Sequence, residues 1–414
     1  MNTKKLYFPS SSFQAEIALP SSKSISNRVL IMQALSGNSI HLTNISEAND
    51  SQLLQQLLKE IHQSNTKEIT LDAQDAGTVF RFLTSYLCSQ KGSFILTGSS
   101  RMQERPIGVL VNALKQLGAD ITYLKKEGYP PLQIHGTNLS SQNIQIDAHI
   151  SSQFITSILL ISPYLPQGIE IELNQKVNSL PYIDMTIKLM QEFGIKIIRN
   201  NQFINVSPGN YQDKILSIEA DWSSAAFWYQ CVAFSKNSRL LLKGLTLDSI
   251  QGDSVIPQIF EQLSVKTTST DKGVLIENSN HINYNLSFDF SNYPDIAMSV
   301  INTCAGLGVI GKFSGLASLK IKESNRIQAL EIELEKLGFD FRETDEDEWV
   351  LINSCKVSDA EYDFSEINIE TYKDHRLAMS FAPFAILGKG INIENPQVVS
   401  KSYPNFWLEL EKLQ

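Results

Sequence analysis

A helix, a glycine or other small residue, and a short strand recur four times along this 414-residue chain. That recurrence restricts the possible folds more than any other feature. The copies are Ala113-Leu-Lys-Gln-Leu-Gly-Ala-Asp-Ile, Leu189-Met-Gln-Glu-Phe-Gly-Ile-Lys-Ile, Phe260-Glu-Gln-Leu-Ser-Val-Lys-Thr and Glu333-Leu-Glu-Lys-Leu-Gly-Phe-Asp-Phe. Leu110, Leu114 and Leu117 share one apolar face at helical spacing, as do Leu330, Leu334 and Leu337. Gly118, Gly194 and Gly338 stand where a helix end takes a left-handed residue, and Ser264 holds the matching place in the third copy. These markers lie 76, 70 and 74 positions apart. A solenoid repeat runs to about 20–50 residues, so the period suits a complete small α/β unit. At this length two domains are expected, because single cores stop growing near about 250–300 residues.

Seven basic residues are set in short polar segments suited to holding anions: Lys23, Arg28, Arg105, Lys322, Arg326, Arg376 and Lys401. The formal net charge is -9, so general basicity does not account for them. Arg offers a fixed donor fork to carboxylate or phosphate, and Lys a point charge. Brought together, they would bind a ligand carrying several negative charges. A pI near 5.3 argues against nucleic acid as the partner. No apolar run approaches the roughly 20 residues that span a bilayer. The N-terminal segment lacks the pattern of a signal or transit peptide, so a cytoplasmic protein is expected. Cys88, Cys231, Cys304 and Cys355 form no metal-ligand or redox pair and read as reduced, mostly core thiols. The six histidines show no zinc-type spacing.

Several helices open on polar starts. Ser22-Lys-Ser precedes the apolar run Val29 to Leu35, and Asp75-Ala-Gly-Thr precedes Val79, Leu83 and Leu87. Ser151-Ser-Gln precedes Phe154 to Leu160, and Asp374-His-Arg precedes Leu377 to Phe381. A helix N-terminus offers unpaired N–H groups and positive partial charge to an anion, although Ser and Asp also serve there simply as caps. Gly77 adds room for close approach to the backbone.

Nine segments in register resemble the 5-enolpyruvylshikimate-3-phosphate synthase family across nearly the whole chain. They are Leu19-Pro-Ser-Ser-Lys-Ser-Ile-Ser-Asn-Arg, Asp75-Ala-Gly-Thr-Val-Phe-Arg, Arg101-Met-Gln-Glu-Arg-Pro-Ile, Ser151-Ser-Gln-Phe and Ser179-Leu-Pro-Tyr-Ile-Asp, followed by Pro294-Asp-Ile-Ala-Met, Lys322-Glu-Ser-Asn-Arg, Lys373-Asp-His-Arg-Leu-Ala-Met and Ser400-Lys-Ser-Tyr-Pro. The resemblance implies an α/β clamshell of two domains, each built from βαβαββ units (an inside-out α/β barrel). It places residues 20–221 in the first domain, and residues 1–19 with 222–414 in the second. It implies transfer of the enolpyruvyl group of phosphoenolpyruvate to the 5-hydroxyl of shikimate 3-phosphate, with no metal or organic cofactor and with a monomer as the expected state.

Carried over residue by residue, the resemblance assigns Lys23 to both substrates. Ser24, Arg28, Ser151, Ser152, Gln153, Ser179, Tyr182, Ser318 and Lys322 fall to shikimate 3-phosphate. Gly77, Arg105, Arg326, Arg376 and Lys401, with Gln153 again, fall to phosphoenolpyruvate. Asp295 would take the hydroxyl proton, Glu323 would exchange a proton with the methylene carbon, Lys23 would assist, and His375 would orient neighbours. Glyphosate is expected to occupy the phosphoenolpyruvate position beside Gly77.

Some positions depart from the family pattern. Asp75 stands where Asn is common, and an added carboxylate at an anion site is unfavourable unless Arg81 or another cation neutralises it. Phe82 replaces the usual Pro, Leu180 a common Lys, and Ser318 an occasional Asn. The stretch Asn49 to Asp72 is short, so one unit of the first domain is expected to lack a strand pair. The alternatives are an enolpyruvyl transferase acting on UDP-N-acetylglucosamine and a non-catalytic anion-binding protein on the same scaffold. The first would carry Lys-Asn in place of Lys23-Ser24 and a catalytic Cys in a first-domain loop. Cys88 instead lies in an apolar helical run.

Overall fold

The computed structural model describes residues 2–64, 66–140, 143–147, 151–174, 177–352, 362–388 and 390–414. The chain forms two compact units, one from Lys23–Ile218 and the other from Met1–Ser22 with Glu219–Gln414.

In the unit Lys23–Ile218, the strand Glu68–Asp72 runs parallel to Ser93–Thr97. The latter pairs antiparallel with Leu132–His135, and Asp120–Tyr123 closes the sheet. Asn143–Asp147, Ile169–Asn174, Phe203–Val206 and Ile197–Arg199 repeat this arrangement. Each sheet is a βαβαββ unit, with one helix crossing between the parallel strands and another leading into the hairpin. The third sheet has only His41–Thr43 parallel to Ile215–Ser217. The helix Asn49–Gln63 passes almost directly into Glu68–Asp72 of the next sheet, which leaves no length for a hairpin. This is the strand pair whose loss the short Asn49 to Asp72 stretch implied.

The other unit repeats the plan, in two of its three sheets with segments far apart in sequence. Gln14–Ala18 lies parallel to Arg239–Lys243, followed across the sheet by Gly273–Ile282 and Leu263–Thr270. Asn285–Asp289, Ile310–Ser314, Glu348–Ile352 and Asp340–Asp345 form the second sheet. The third joins Thr3–Leu6, Ile391–Glu394 and Asn368–Ile369.

Within each unit three helices are enclosed on nearly every side. They are Lys23–Leu35, Gly77–Cys88 and Ser152–Ile161 in one, and Trp222–Ala233, Ala297–Leu307 and His375–Phe381 in the other. Beyond their polar first turns they are mostly apolar or small, as expected of helices with little solvent face. Helices such as Gly108–Gln116 and Arg326–Lys336 are amphipathic, with Leu110, Leu114, Leu330 and Leu334 buried on one side. Cys88, Cys231 and Cys304 are free core thiols whose burial pushes them far above the usual range; Cys355 lies outside the described residues. Among the described residues no helix is long and apolar enough to cross a membrane.

The four sequence markers share one backbone conformation. Gly118, Gly194 and Gly338 have φ of 87, 86 and 84°, and Ser264 has φ of 70°. Ser264 is held there by burial and by donation of its Oγ to Asn278 Oδ1 at 3.3 Å, at a register irregularity between Leu263 and Val265. A Cβ on Gly338 would meet no atom within 4 Å, so substitution there tests backbone strain alone. Gly338→Ala is expected to cost about 1–2 kcal/mol, read as a lower urea midpoint with an unchanged slope. An unchanged midpoint would show that the left-handed turn is not required.

Candidate active site

The unit Lys23–Ile218 supplies cations with mostly neutral partners. Lys23 opens its helix and lies 3.1 Å from Asp50 Oδ2, on the next helix. Arg28, one turn further on, is buried. Its Nε donates to Thr186 Oγ1 at 2.8 Å, Nη1 to the Ser24 carbonyl at 2.7 Å and Nη2 to the Tyr182 carbonyl at 3.2 Å. The guanidinium also lies 5.7 Å from the Phe82 ring centroid. Burial lowers its pKa to about 10, opposed by Tyr182, so it remains charged at neutral pH.

At the start of the helix Gly77–Cys88, two guanidiniums converge on Gly77. A Cβ there would lie 2.6 Å from Arg81 Nη1, and 2.7 and 2.9 Å from the two terminal nitrogens of Arg105. Arg81 Nη1 donates to Gln153 Oε1 at 2.7 Å and the group lies over the Phe154 ring. This ties together the first turns of two central helices. Arg105 follows the short helix Ser100–Gln103, capped by Ser99. It is only 6% exposed, and among the described residues its Nε has no hydrogen-bond partner. A buried, unsatisfied cationic donor is costly without an anion.

Asp75 does not cap this helix, contrary to the simple cap reading. The N-cap is Ala76, without a side-chain bond, and Asp75 instead accepts from the Ser99 hydroxyl. Ser151 does cap, accepting from the Gln153 amide at 3.3 Å, with Ser152 buried behind it. Ser179 takes a left-handed conformation, φ 56°, ahead of Leu180–Glu192. The Tyr182 carbonyl accepts from Arg28.

The unit holding Glu219–Gln414 interleaves cations with carboxylates around Arg326, whose side chain is 1% exposed. Arg326 Nε donates to Asp374 Oδ2 at 2.7 Å and Nη2 to Asp374 Oδ1 at 3.2 Å and to Glu323 Oε2 at 3.0 Å, while Nη1 lies 3.5 Å from Asp295 Oδ1. Burial pulls its pKa down, but Asp374, Glu323 and Asp295 together raise it above the ordinary value. Arg376 donates to the Asp295 carbonyl at 2.8 Å and lies 3.2 Å from its carboxylate, with Lys322 at 3.9 Å on the other oxygen. Lys401 stands 3.5 Å from Glu323 Oε1. Asp374 caps the helix His375–Phe381 through the Arg376 amide, and His375 is buried 3.7 Å from it. Ser318 lies on the turn Ala317–Ile321 leading to Lys322. Among the described residues no hydrogen bond joins it to this network.

The EPSP synthase (3-phosphoshikimate 1-carboxyvinyltransferase) family model matches residues 8–410. A 3-phosphoshikimate 1-carboxyvinyltransferase of Bacteroides fragilis is 42% identical over 409 residues, covering 97% of this chain and 96% of the relative. One from Vibrio campbellii is 32% identical over 433 residues, covering 98% of both. The chain belongs to the EPSP synthase family. In fold it is similar to the solved EPSP synthase of Acinetobacter baumannii, with a TM-score of 0.80 over 100% of this chain and 98% of that one, at 20% identity.

Beyond the residues picked out from this family's motifs, the structure adds Asp50 on Lys23, Thr186 on Arg28, and Asp374 as the bidentate partner of Arg326. Each sits on a different element from the residue it holds, so local spacing carries no sign of it. Asp253 is a further buried carboxyl, accepting from Ser223 at the start of Trp222–Ala233. Burial and then Asp295 push it up to about 7, against Ser223 and Arg376. A raised carboxyl favours its protonated form in the folded protein. Its contribution to stability is present below the unfolded value, about 3.9, and is lost as pH rises through about 7. Asp253→Asn keeps the neutral form at all pH. Its melting temperature relative to wild type is therefore expected to rise between pH 5 and pH 8. A difference that stays flat would mean that Asp253 is ionised throughout.

Proposed function

We infer that this chain transfers the enolpyruvyl group of phosphoenolpyruvate to the 5-hydroxyl of shikimate 3-phosphate and releases phosphate. Family membership gives the reaction. The observation that supports its assignment to particular residues is the buried Arg326, which contacts both Asp295 and Glu323. One guanidinium thereby positions two carboxylates for separate proton transfers.

In this scheme Glu323 delivers a proton to the methylene carbon, making the adjacent carbon electrophilic. The 5-hydroxyl oxygen bonds to that carbon as Asp295 takes the hydroxyl proton. Glu323, now a carboxylate, removes a proton from the methyl group of the tetrahedral adduct as the carbon–oxygen bond to phosphate breaks. The proton on Asp295 leaves with the phosphate. An arriving anion competes for Lys401, which otherwise holds Glu323, and so frees Glu323 to carry a proton.

Arg105, Arg326, Arg376 and Lys401, with Lys23, Gln153 and the backbone at Gly77, are assigned to phosphoenolpyruvate. Preorganised cations of this kind stabilise charge building on a departing phosphate. Lys23, Ser24, Arg28, Ser151, Ser152, Gln153, Ser179, Tyr182, Ser318 and Lys322 are assigned to shikimate 3-phosphate. Cys88, a core thiol pushed up by burial, is unsuited to nucleophilic chemistry, which disfavours the UDP-N-acetylglucosamine alternative. We place the enzyme in the cytoplasm on its reduced-thiol composition, and expect a monomer only as the resemblance implies.

Glu323→Gln is expected to slow phosphate release about 10²-fold or more while substrate binding by calorimetry survives. Near-normal turnover would remove Glu323 from the proton path. At Gly77 an added methyl would push the Arg81 and Arg105 guanidiniums aside. Overpacking of that kind costs about 1–3 kcal/mol. Gly77→Ala should raise the Michaelis constant for phosphoenolpyruvate, and raise the inhibition constant of the longer glyphosate more. Equal losses for both would show that ligand length is not sensed there.

A further inference from the structure

Glu333 is a fully buried carboxylate outside the proton-transfer scheme. It lies seven positions after Arg326 on the helix Arg326–Lys336, two turns along and on the same face. The helix therefore grips one passing segment at two points. Arg326 holds Asp374. Glu333 accepts from the Tyr372 hydroxyl at 2.8 Å and from the Glu370 amide at 3.3 Å. Lys336 Nζ, at 2.8 and 2.7 Å from its two oxygens, balances its charge and also reaches the Asn368 carbonyl.

Just before Asp374, Tyr372 and Lys373 have φ of 50 and 57°. Two successive non-glycine residues in the left-handed region persist only where their surroundings impose that conformation. The turn closes with the Asp374 amide donating to the Thr371 carbonyl at 2.7 Å. It delivers Asp374 to Arg326 and starts the helix whose second residue, Arg376, is bonded to Asp295.

We propose that Glu333 is a positioning residue: by holding Tyr372 and the Glu370 amide it maintains the left-handed turn that sets Asp374 on Arg326 and Arg376 on Asp295. Its kinetic consequence rests on the enolpyruvyl-transfer reading, whereas its structural content does not. Tyr372→Phe removes one hydroxyl and keeps the ring, and Glu333→Gln removes the charge at nearly constant shape.

Hydrogen exchange of the amides of residues 371–376 is expected to quicken by about tenfold in either variant, with the melting temperature little changed, because only a local opening is eased. In steady-state phosphate release, the Michaelis constant for phosphoenolpyruvate should rise by about five- to tenfold, while that for shikimate 3-phosphate stays within about twofold. The double variant should lose no more than Glu333→Gln alone, since the Tyr372 hydroxyl acts through its bond to Glu333. Unchanged exchange at 371–376 overturns the proposal, as does an equal rise in both Michaelis constants. If the wild type fails to turn over these substrates, the reaction assignment falls and the exchange measurement still decides the clamp.

Discussion

A helix buried on every side can present chemistry only at its ends, and six such helices govern where this protein can act. In Ala297–Leu307 and His375–Phe381 every residue is buried, so beyond the first turn no side chain is available to a substrate. Their N-termini are the useful ends, because the first turn leaves N–H groups without partners and concentrates positive partial charge. Lys23, Gly77, Ser152 and Arg376 all occupy the first two positions of central helices. Asp295 lies just before another. Arg81 to Gln153 in one unit and Arg376 to Asp295 in the other show these starts held together by side chains.

The two units manage charge differently. Arg28 is held by hydroxyl, carbonyl and aromatic ring, and Arg81 meets an amide oxygen and a ring. A cation so placed is paired best by a ligand anion. Around Arg326 the partners are carboxylates, and the bidentate Asp374 offsets a desolvation penalty of several kcal/mol. Removing one member of such a buried pair typically costs about 3–5 kcal/mol, which makes Asp374 as necessary to the site as the residues that would move protons. The first arrangement suits binding, the second proton exchange.

Much of this was legible in the sequence, for a physical reason that also marks its limit. The markers Gly118, Gly194, Ser264 and Gly338 each belong to a four-stranded sheet whose hairpin is local in the chain. The remaining two sheets join segments from distant parts of the chain, such as His41–Thr43 with Ile215–Ser217 and Thr3–Leu6 with Ile391–Glu394. A periodicity search cannot see them. Likewise Lys23, Asp295, Glu323 and Arg376 stand in compact motifs, whereas Asp50, Thr186 and Glu333 act on residues of other elements. Asp374 was visible as a helix cap, but its grip on Arg326, 48 positions away, was not.

The departures from the family pattern make local sense together. Asp75 adds a carboxylate just ahead of the helix Gly77–Cys88, and the Ser99 hydroxyl donates to it. Phe82 sits inside the helix Gly77–Cys88, where proline would remove a backbone hydrogen bond and kink the helix. As phenylalanine it is buried and presents its ring to Arg28, whose hydrogen bonds among the described residues go to neutral oxygens. A ring face attracts a desolvated guanidinium by about 2 kcal/mol or less, a modest offset to the burial that lowers the pKa of Arg28. The ring replaces proline without competing for the cation as a carboxylate would, so Arg28 keeps its charge.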